Sequence, residues 1–183
     1  MEFSIVVLFP EKVNKDIEKL KREIAKLGSK DGLNIPSSLE LGIKFEVPNE
    51  RINELISKFD KFKKDIKPIV IKIDGFEFIE NISPDPWIKS TFFIGIKVKP
   101  SDELDDLHLK LKEFKIFSSN QVDEEIYHPA IILAKHDLDA VSYRRIKKFL
   151  EDMSFEETIL LDNITFILKK DVDHIIYKKL NLD

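Results

Sequence analysis

The amino-acid sequence predicts an α+β protein built from two similar halves. Strand-like and helix-like segments follow each other in the same order twice along the 183 residues. Two strand-like segments stand at matching places in the halves, residues 34–47 (NIPSSLELGIKFEV) and 127–135 (YHPAIILAK). Hydrophobic residues make up 43% and charged residues 35%, with only 5 glycines, a composition typical of a globular chain with short loops.

The first half predicts five elements in sequence. Short apolar runs rich in β-branched residues indicate strands, and apolar residues at helical spacing indicate helices. Gly28 follows the first helical pattern, where a C-cap belongs. The predicted elements are a strand at 3–9, a helix at 12–27, the strand segment at 34–47, a helix from Asn49 through Phe59, and a hairpin at 68–80 about Asp74-Gly75.

The second half repeats this order. Its helices are recognised by the same spacing of apolar residues and by polar residues that can cap their first turn. The predicted elements are a strand at 91–98, a helix at 101–114 with Ser101 as its N-cap, the strand segment at 127–135, a helix at 139–153, and two strands within 155–169 that turn at Asp162-Asn163.

A proline-rich segment separates the two halves. Residues 82–88 (ISPDPWI) contain two prolines and the only tryptophan, and proline disfavours both a helix interior and a central strand. We therefore predict a single two-lobed domain over residues 1–183, with lobe one at about 1–82, lobe two at about 88–183 and the crossing at 82–88. The sequence specifies no oligomeric state.

The composition limits the classes of function. A net charge of −4 argues against broad electrostatic capture of nucleic acid, although a local basic patch is compatible with it. The absence of cysteine excludes disulfides and thiolate metal sites, and the 4 histidines show no metal-ligand spacing, so we predict no metal and no cofactor. The apolar N-terminal run is too short for a signal peptide and carries Glu2, so we expect a cytoplasmic protein with no membrane segment.

The two strand segments resemble the signature strands of the 2H phosphoesterase superfamily, which includes 2'-5' RNA ligases and cyclic nucleotide phosphodiesterases. Those strands carry Pro-x-His-x-Thr or Pro-His-x-Thr patterns. When this sequence is laid on them, Ser38 and Glu40 stand at the first histidine and threonine, and Ala130 and Ile132 stand at the second pair. The resemblance implies two curved, mostly antiparallel sheets around a central cleft, with helices outside.

The residues at the four motif positions cannot perform the family's chemistry. In the family one histidine takes a proton while the other gives one, a task suited to imidazole, which titrates near neutral pH. Ala130 has no titratable group, and Ser38 has no base beside it in the sequence. A carboxylate at Glu40 would repel a phosphodiester by on the order of a few kcal/mol. We expect no catalytic residues here and predict a protein that has lost the family activity, with RNA or a nucleotide as the possible cleft ligand.

Strand alternation identifies the side chains that would line such a cleft. Residues two positions apart point to the same face of a strand, so one face is expected on each of the two segments. The expected cleft-lining residues are Ser38, Glu40, Lys44, His128, Ala130 and Ile132.

Two alternatives stay open. In the first, a divergent enzyme hydrolyses 2',3'-cyclic phosphates with Glu40 and His128 as an acid-base pair. His128 lies two strand steps, about 6.6 Å, from the motif position, which is a large displacement for proton transfer. In the second, the protein is an interaction module or homo-oligomer whose cleft is filled by side chains.

Overall fold

The structure is a computed structural model that describes residues 1–81, 91–113, 128–170 and 173–182. It confirms the predicted α+β class. The helices are α1 (Glu11–Leu27), α2 (Ile52–Phe62), α3 (Asp102–Glu113) and α4 (Ala140–Glu151). The strands are β1 (Glu2–Leu8), β2 (Ser38–Glu46), β3 (Ile69–Asn81), β4 (Thr91–Val98), β5 (Ala130–Ala134), β6 (Glu156–Leu161), β7 (Asn163–Lys170) and β8 (Asp173–Asn181).

The strands form two four-stranded antiparallel sheets. The first has the order β2-β1-β7-β8 and the second the order β5-β4-β3-β6. The two signature strands, β2 and β5, are edge strands of different sheets and contact each other. Each sheet takes strands from both sides of residue 82. The predicted crossing at 82–88 lies outside the described residues, and the division into lobes stays a prediction.

Alternation along β2 separates core from cleft. Leu41, Ile43 and Phe45 are at most 3% exposed, whereas Glu40, Gly42 and Lys44 between them are partly exposed. Burying each large apolar side chain stabilises the fold by about 1.5–3 kcal/mol, so the register of β2 is strongly fixed. Burial of Leu41, Ile43 and Phe45 on one face of β2 therefore turns the other face, with Glu40 and Lys44, toward the cleft.

The helix boundaries follow local capping chemistry. Ser101 precedes α3, and its hydroxyl accepts a hydrogen bond from the Leu104 amide at 3.2 Å, which confirms the predicted N-cap. Asp139 caps α4 in the same way through the Ser142 amide at 2.7 Å. Gly28 ends α1 with a φ of +126°, in the region that favours glycine. Among the described residues, no helix combines the length and apolarity that crossing a membrane requires.

The hairpin predicted at 68–80 is wrong, because one bent strand, β3, runs through this segment. Its first half pairs with β6 from Ile69 to Asp74, and its second half pairs with β4 up to Asn81. Gly75 has a φ of +74° and lies where the register shifts between Ile73 and Phe76. The Asp-Gly dipeptide therefore forms a bulge that bends the strand. It does not reverse the chain, because the two halves of the segment pair with β6 and β4 and not with each other.

The turn predicted at Asp162-Asn163 joins two strands that do not pair with each other. The strands themselves are confirmed, but β6 lies in the second sheet and β7 in the first. The Asn163 side chain donates to the Leu8 carbonyl at 2.8 Å and accepts from the Leu8 amide at 3.0 Å, which ties the start of β7 to β1. This dipeptide therefore carries the chain between sheets. The sequence analysis also missed β8, the outer strand of the first sheet.

Candidate ligand-binding cleft

The facing signature strands border two adjoining cavities. The larger has a volume of about 510 Å³ and the smaller about 440 Å³. Glu40, Ile132, Lys135 and His136 line both cavities, so the two cavities adjoin at these residues. We call the larger cavity the apolar chamber and the smaller one the charged chamber. Volumes of this size are usual for sites that bind small molecules and cofactors.

The apolar chamber combines a hydrophobic wall with a few polar groups. Phe93 contributes a partly exposed aromatic side chain, and Asn81 and Thr91 add an amide and a hydroxyl. This mixture can hold a flat apolar group and orient its polar edge. The hydrophobic wall consists of Ile79, Phe92, Phe93, Ala130, Ile132 and Leu138.

The charged chamber is lined by side chains of both signs. Its cationic and imidazole groups are Lys44, Lys135, Lys169, His136 and His174, and its carboxylates are Glu2, Asp31 and Glu40. Lys169 Nζ lies 3.4 Å from Glu2 Oε1. The Nδ1 atom of His174 is buried without a hydrogen-bond partner within the described part of the chain. The chamber therefore suits a polar, charged part of a ligand.

The structure brings most of the predicted site residues together. Glu40, His128, Ala130 and Ile132 all line the apolar chamber, and Lys44 lines the charged chamber. Ala130 is 3% exposed and Ile132 is 7% exposed, so both positions present alkyl groups in the chamber wall. Neither alkyl side chain has a titratable group that could exchange a proton.

Ser38 lies apart from these residues. It is 4% exposed, and its hydroxyl donates a hydrogen bond to the Pro36 carbonyl at 3.2 Å. It is not among the residues that line either chamber. The Ser38 hydroxyl is therefore hydrogen-bonded to its own segment at the start of β2 and does not reach the cleft.

His128 has a carboxylate partner from β3. Its Nε2 atom lies 2.5 Å from Glu77 Oε2, and the imidazole is about half exposed. The sequence analysis had considered Glu40 as the acid-base partner of His128. Both residues line the apolar chamber, but the hydrogen bond of the imidazole goes to Glu77.

Two aspartates tie together the loops that follow α1 and β5. The Asp31 carboxylate accepts hydrogen bonds from the amides of Lys135 at 3.1 Å and His136 at 2.6 Å. In return the Asp137 carboxylate accepts from the amides of Lys30 at 2.6 Å and Asp31 at 3.1 Å. We call this reciprocal arrangement the aspartate clasp. It fixes the backbone of Lys135 and His136 at the cleft.

Ser29 completes the aspartate clasp. Its buried hydroxyl lies 2.9 Å from Asp31 Oδ1 and 2.5 Å from Asp137 Oδ1. Partial desolvation works to raise the pKa of Asp137, but the hydrogen bonds from Ser29 and from the amides of Lys30 and Asp31 outweigh it and lower the pKa. Asp137 is therefore held as a carboxylate, the form that accepts these bonds.

A buried lysine fixes the segment that leads into β2. Lys21 on α1 is 1% exposed, and its ammonium donates to the Ile35 carbonyl at 2.5 Å. Burial lowers the pKa of Lys21 to about 8, although Glu18, 3.7 Å away, and Asp31 counter part of this shift. Glu18 also accepts a hydrogen bond from Ser37.

The sequence analysis missed Lys135 and His136 as cleft residues. Their position directly after β5 was an available signal, because loops at strand ends often carry functional groups. The partners that hold them are more than 100 residues away in the chain, which no short-range pattern reveals. Within the described ranges, no group of three or more histidine and acidic side chains could hold a metal ion.

Comparisons with known proteins agree with this architecture. The chain is 32% identical over 149 residues to a curated protein of Oceanobacillus iheyensis named "Putative phosphoesterase OB1230", and the match covers 75% of this chain and 82% of that protein. No protein-family model matches the chain.

Three solved structures share the fold. TT0787 of Thermus thermophilus has a TM-score of 0.68 at 13% identity, covering 100% of this chain and 98% of that one. E. coli LigT, crystallised with 3'-AMP, has a TM-score of 0.61 at 15% identity, covering 99% and 97%. A further phosphoesterase crystal structure has a TM-score of 0.60 at 14% identity, covering 99% and 97%.

The solved structures establish the class of fold, a LigT-like arrangement of two curved antiparallel sheets with helices outside. The relative from Oceanobacillus extends the likeness to sequence over most of both chains. The chain belongs to the 2H phosphoesterase superfamily.

Proposed function

We propose that this 2H phosphoesterase family member is non-catalytic and that its cleft binds a nucleotide or the end of an RNA chain. The observation that carries the proposal is the pairing of an open apolar chamber of about 510 Å³ with alkyl side chains at Ala130 and Ile132. The chamber can hold a ligand, but Ala130 and Ile132 in its wall have no group that could transfer a proton. Fold by itself says little about the ligand, whereas the lining of the chamber indicates its chemistry.

The loss of activity follows from the chemistry of the motif positions. General acid-base catalysis needs a group that can exchange a proton within hydrogen-bond reach of the reacting oxygen. Ala130 and Ile132 cannot do so, and the Ser38 hydroxyl is buried against the Pro36 carbonyl. The two positions aligned with the family's histidines, Ser38 and Ala130, therefore supply neither the base nor the acid.

Nucleotide binding is supported by the shape and chemistry of the apolar chamber. An aromatic ring such as Phe93 can stack on a base, and one such stack stabilises a complex by about 1–3 kcal/mol. Asn81 and Thr91 can hydrogen-bond to the edge of a base or to a ribose. The LigT structure of the same fold was crystallised with 3'-AMP, which makes this nucleotide a suitable probe.

The test measures binding and turnover on the same preparation. We expect 3'-AMP to bind saturably by titration calorimetry, and 2',3'-cyclic AMP to be hydrolysed no faster than in buffer. Phe93→Ala should weaken 3'-AMP binding about tenfold. The matched control is Phe149→Ala, which removes a partly exposed phenylalanine that does not line the cleft. Absence of saturable binding would contradict the proposal.

The hydrogen-bonded pair of His128 and Glu77 keeps the active-enzyme alternative testable. This pair places an imidazole in the lining of the apolar chamber, which Glu40 also lines. Turnover of a 2',3'-cyclic phosphate that His128→Ala abolishes would replace a binding function with a divergent phosphodiesterase. Preserved folding of that variant, checked by circular dichroism, is the control.

The alternative of an interaction module requires a cleft filled by side chains. Open chambers between the described residues favour a ligand over that alternative. The proposal also places the protein in the cytoplasm, in agreement with a chain that contains no cysteine.

A further inference from the structure

We propose that a groove outside the cleft binds a basic segment of a partner protein, with one apolar or aromatic side chain of that segment as its anchor. The groove has a volume of about 320 Å³ and lies between α1, the end of α4 and the start of β6. Leu20, Phe149, Met153 and Glu156 are among the residues that line it, and we call it the acidic groove. None of the described residues that line it also lines a chamber of the cleft.

The apolar part of the acidic groove is open to solvent. Leu20 is 6% exposed and Phe155 is partly buried. Phe149 and Met153 are 37% and 42% exposed, so they offer apolar surface to a partner. The Phe155 carbonyl accepts a hydrogen bond from the Gly75 amide at 2.9 Å, which ties this residue to the bulge of β3. Exposed apolar surface with polar groups around it is typical of contacts between proteins.

Carboxylates from two elements determine the charge that a partner must carry. Asp16 and Glu23 lie on one face of α1, two helical turns and about 10.5 Å apart along the axis. Glu156 and Glu157 supply two more carboxylates from the start of β6. Lys19 is the cationic residue of the described lining, so four carboxylates against one ammonium give a net charge of −3. A segment rich in lysine or arginine complements this charge.

Two of these carboxylates have lysine partners that a ligand can replace. Glu157 Oε1 lies 3.3 Å from Lys12 Nζ, and Glu23 Oε1 lies 2.7 Å from Lys26 Nζ. The two lysine side chains are 80% and 68% exposed, and ion pairs at such exposed positions are weak. A lysine or arginine of the partner can therefore reach carboxylates of both α1 and β6.

An anionic ligand does not fit the acidic groove. The net charge of −3 repels phosphate. In addition, α4 ends at Glu151, next to the lining residue Met153, and the last carbonyls of that helix add partial negative charge. A buried apolar anchor supplies most of the affinity in such contacts, and the surrounding charges select the partner. The inference is therefore independent of the nucleotide proposed for the cleft.

Methionine methyl groups report on the acidic groove directly in NMR spectra of the full chain. The chain contains 2 methionines, Met153 in the groove and Met1 at the N-terminus, so each spectrum includes its own reference. The probes are short acetylated peptides in which one Trp, Phe or Leu is flanked on both sides by Lys and Arg. We expect saturable shifts of the Met153 signal, assigned with Met153→Leu, and none at Met1. Replacing the anchor by Ala, or the cations by Gln, should weaken binding at least about tenfold.

Variants of the chain test the two kinds of contact separately. Asp16→Asn combined with Glu156→Gln should weaken binding of the basic peptides about tenfold. The matched control combines Glu50→Gln with Asp106→Asn, which changes the net charge equally at exposed positions outside the groove. It should leave binding within about twofold, because distant exposed charges are screened by salt. Phe149→Ala should weaken binding about tenfold and leave 3'-AMP binding unchanged.

Three results would overturn the inference. The first is the absence of a saturable shift at Met153 with every peptide of the set at up to about 1 mM. The second is equal affinity for peptides with and without cations, which would remove the role of the carboxylates. The third is a Met153 shift that depends on protein concentration without peptide, which would identify a second copy of this chain as the occupant. Binding of 3'-AMP is measured on the same samples, so failure of the nucleotide proposal is seen separately.

Discussion

Glu40 is the residue whose charge most directly opposes the proposed ligand. Its carboxylate lies where both chambers meet, and like charges a few ångströms apart in a partly desolvated cleft repel appreciably. We predict that Glu40→Gln tightens 3'-AMP binding roughly fivefold, measured by calorimetry at low salt. Glu46→Gln, an exposed change at the far end of the same strand, is the matched control. Unchanged or weaker binding in Glu40→Gln would show that this carboxylate does not face the phosphate.

Lys21 provides a pH-dependent test at the same scale. Its pKa is about 8 in the folded protein, against an ordinary value of 10.5 in the unfolded chain. Between these values the unfolded state binds more protons, so the contribution of Lys21 to the free energy of unfolding becomes more favourable as pH rises.

The variant Lys21→Met removes this titration. We predict that the unfolding free energy of the parent, minus that of the variant, rises between pH 8 and 10.5 by up to roughly 3 kcal/mol. Urea unfolding at several pH values measures the difference. Lys19→Met, an exposed change on the same helix, is the matched control for the substitution itself. A flat difference for Lys21→Met would mean that the ammonium is not desolvated.

At the scale of elements, a close backbone approach joins the turn after α1 to β5. A Cβ atom added at Gly32 would lie 2.0 Å from the Leu133 carbonyl oxygen, a contact that only backbone movement can relieve. We predict that Gly32→Ala lowers the free energy of unfolding by about 3 kcal/mol, measured by urea denaturation. The loops of the aspartate clasp lie next to this contact, so 3'-AMP binding should weaken as well.

Gly75, at the bulge of β3, offers the contrasting case. A Cβ atom there meets nothing within 4 Å, so only the φ of +74° opposes a side chain. Gly75→Ala should therefore cost only about 1 kcal/mol. If Gly75→Ala lowers the free energy of unfolding as much as Gly32→Ala or more, then the steric contact at Gly32 is not the larger effect.

At the scale of the whole molecule, the alignment of the signature strands requires that family motif residues introduced on β2 and β5 face each other across the cleft. We predict that Ser38→His, Glu40→Thr, Ala130→His and Ile132→Thr, combined in one chain, produce measurable hydrolysis of a 2',3'-cyclic phosphate. The control is the same chain without Ala130→His, which lacks one of the two proton-transfer groups. A folded quadruple variant with no turnover would contradict the alignment of the signature strands.

Local patterns predicted much of the fold. Apolar spacing in α1 and the caps of α3 gave helices that the structure confirms, because helices are stabilised by contacts between near neighbours. The Asp74-Gly75 prediction failed because the two halves of β3 pair with β6 and β4 and not with each other. A turn dipeptide alone could not distinguish a hairpin from a bulge.

The sequence by itself determined the four helices, most of the strands and the absence of a titratable group at Ala130, since helical spacing and residue chemistry are local properties. The tertiary structure alone decided the order of strands in the sheets, the two chambers and the aspartate clasp. These depend on contacts between residues far apart in the chain. The amides bound by Asp31 lie 104 and 105 residues away, a separation at which only the folded chain brings groups together.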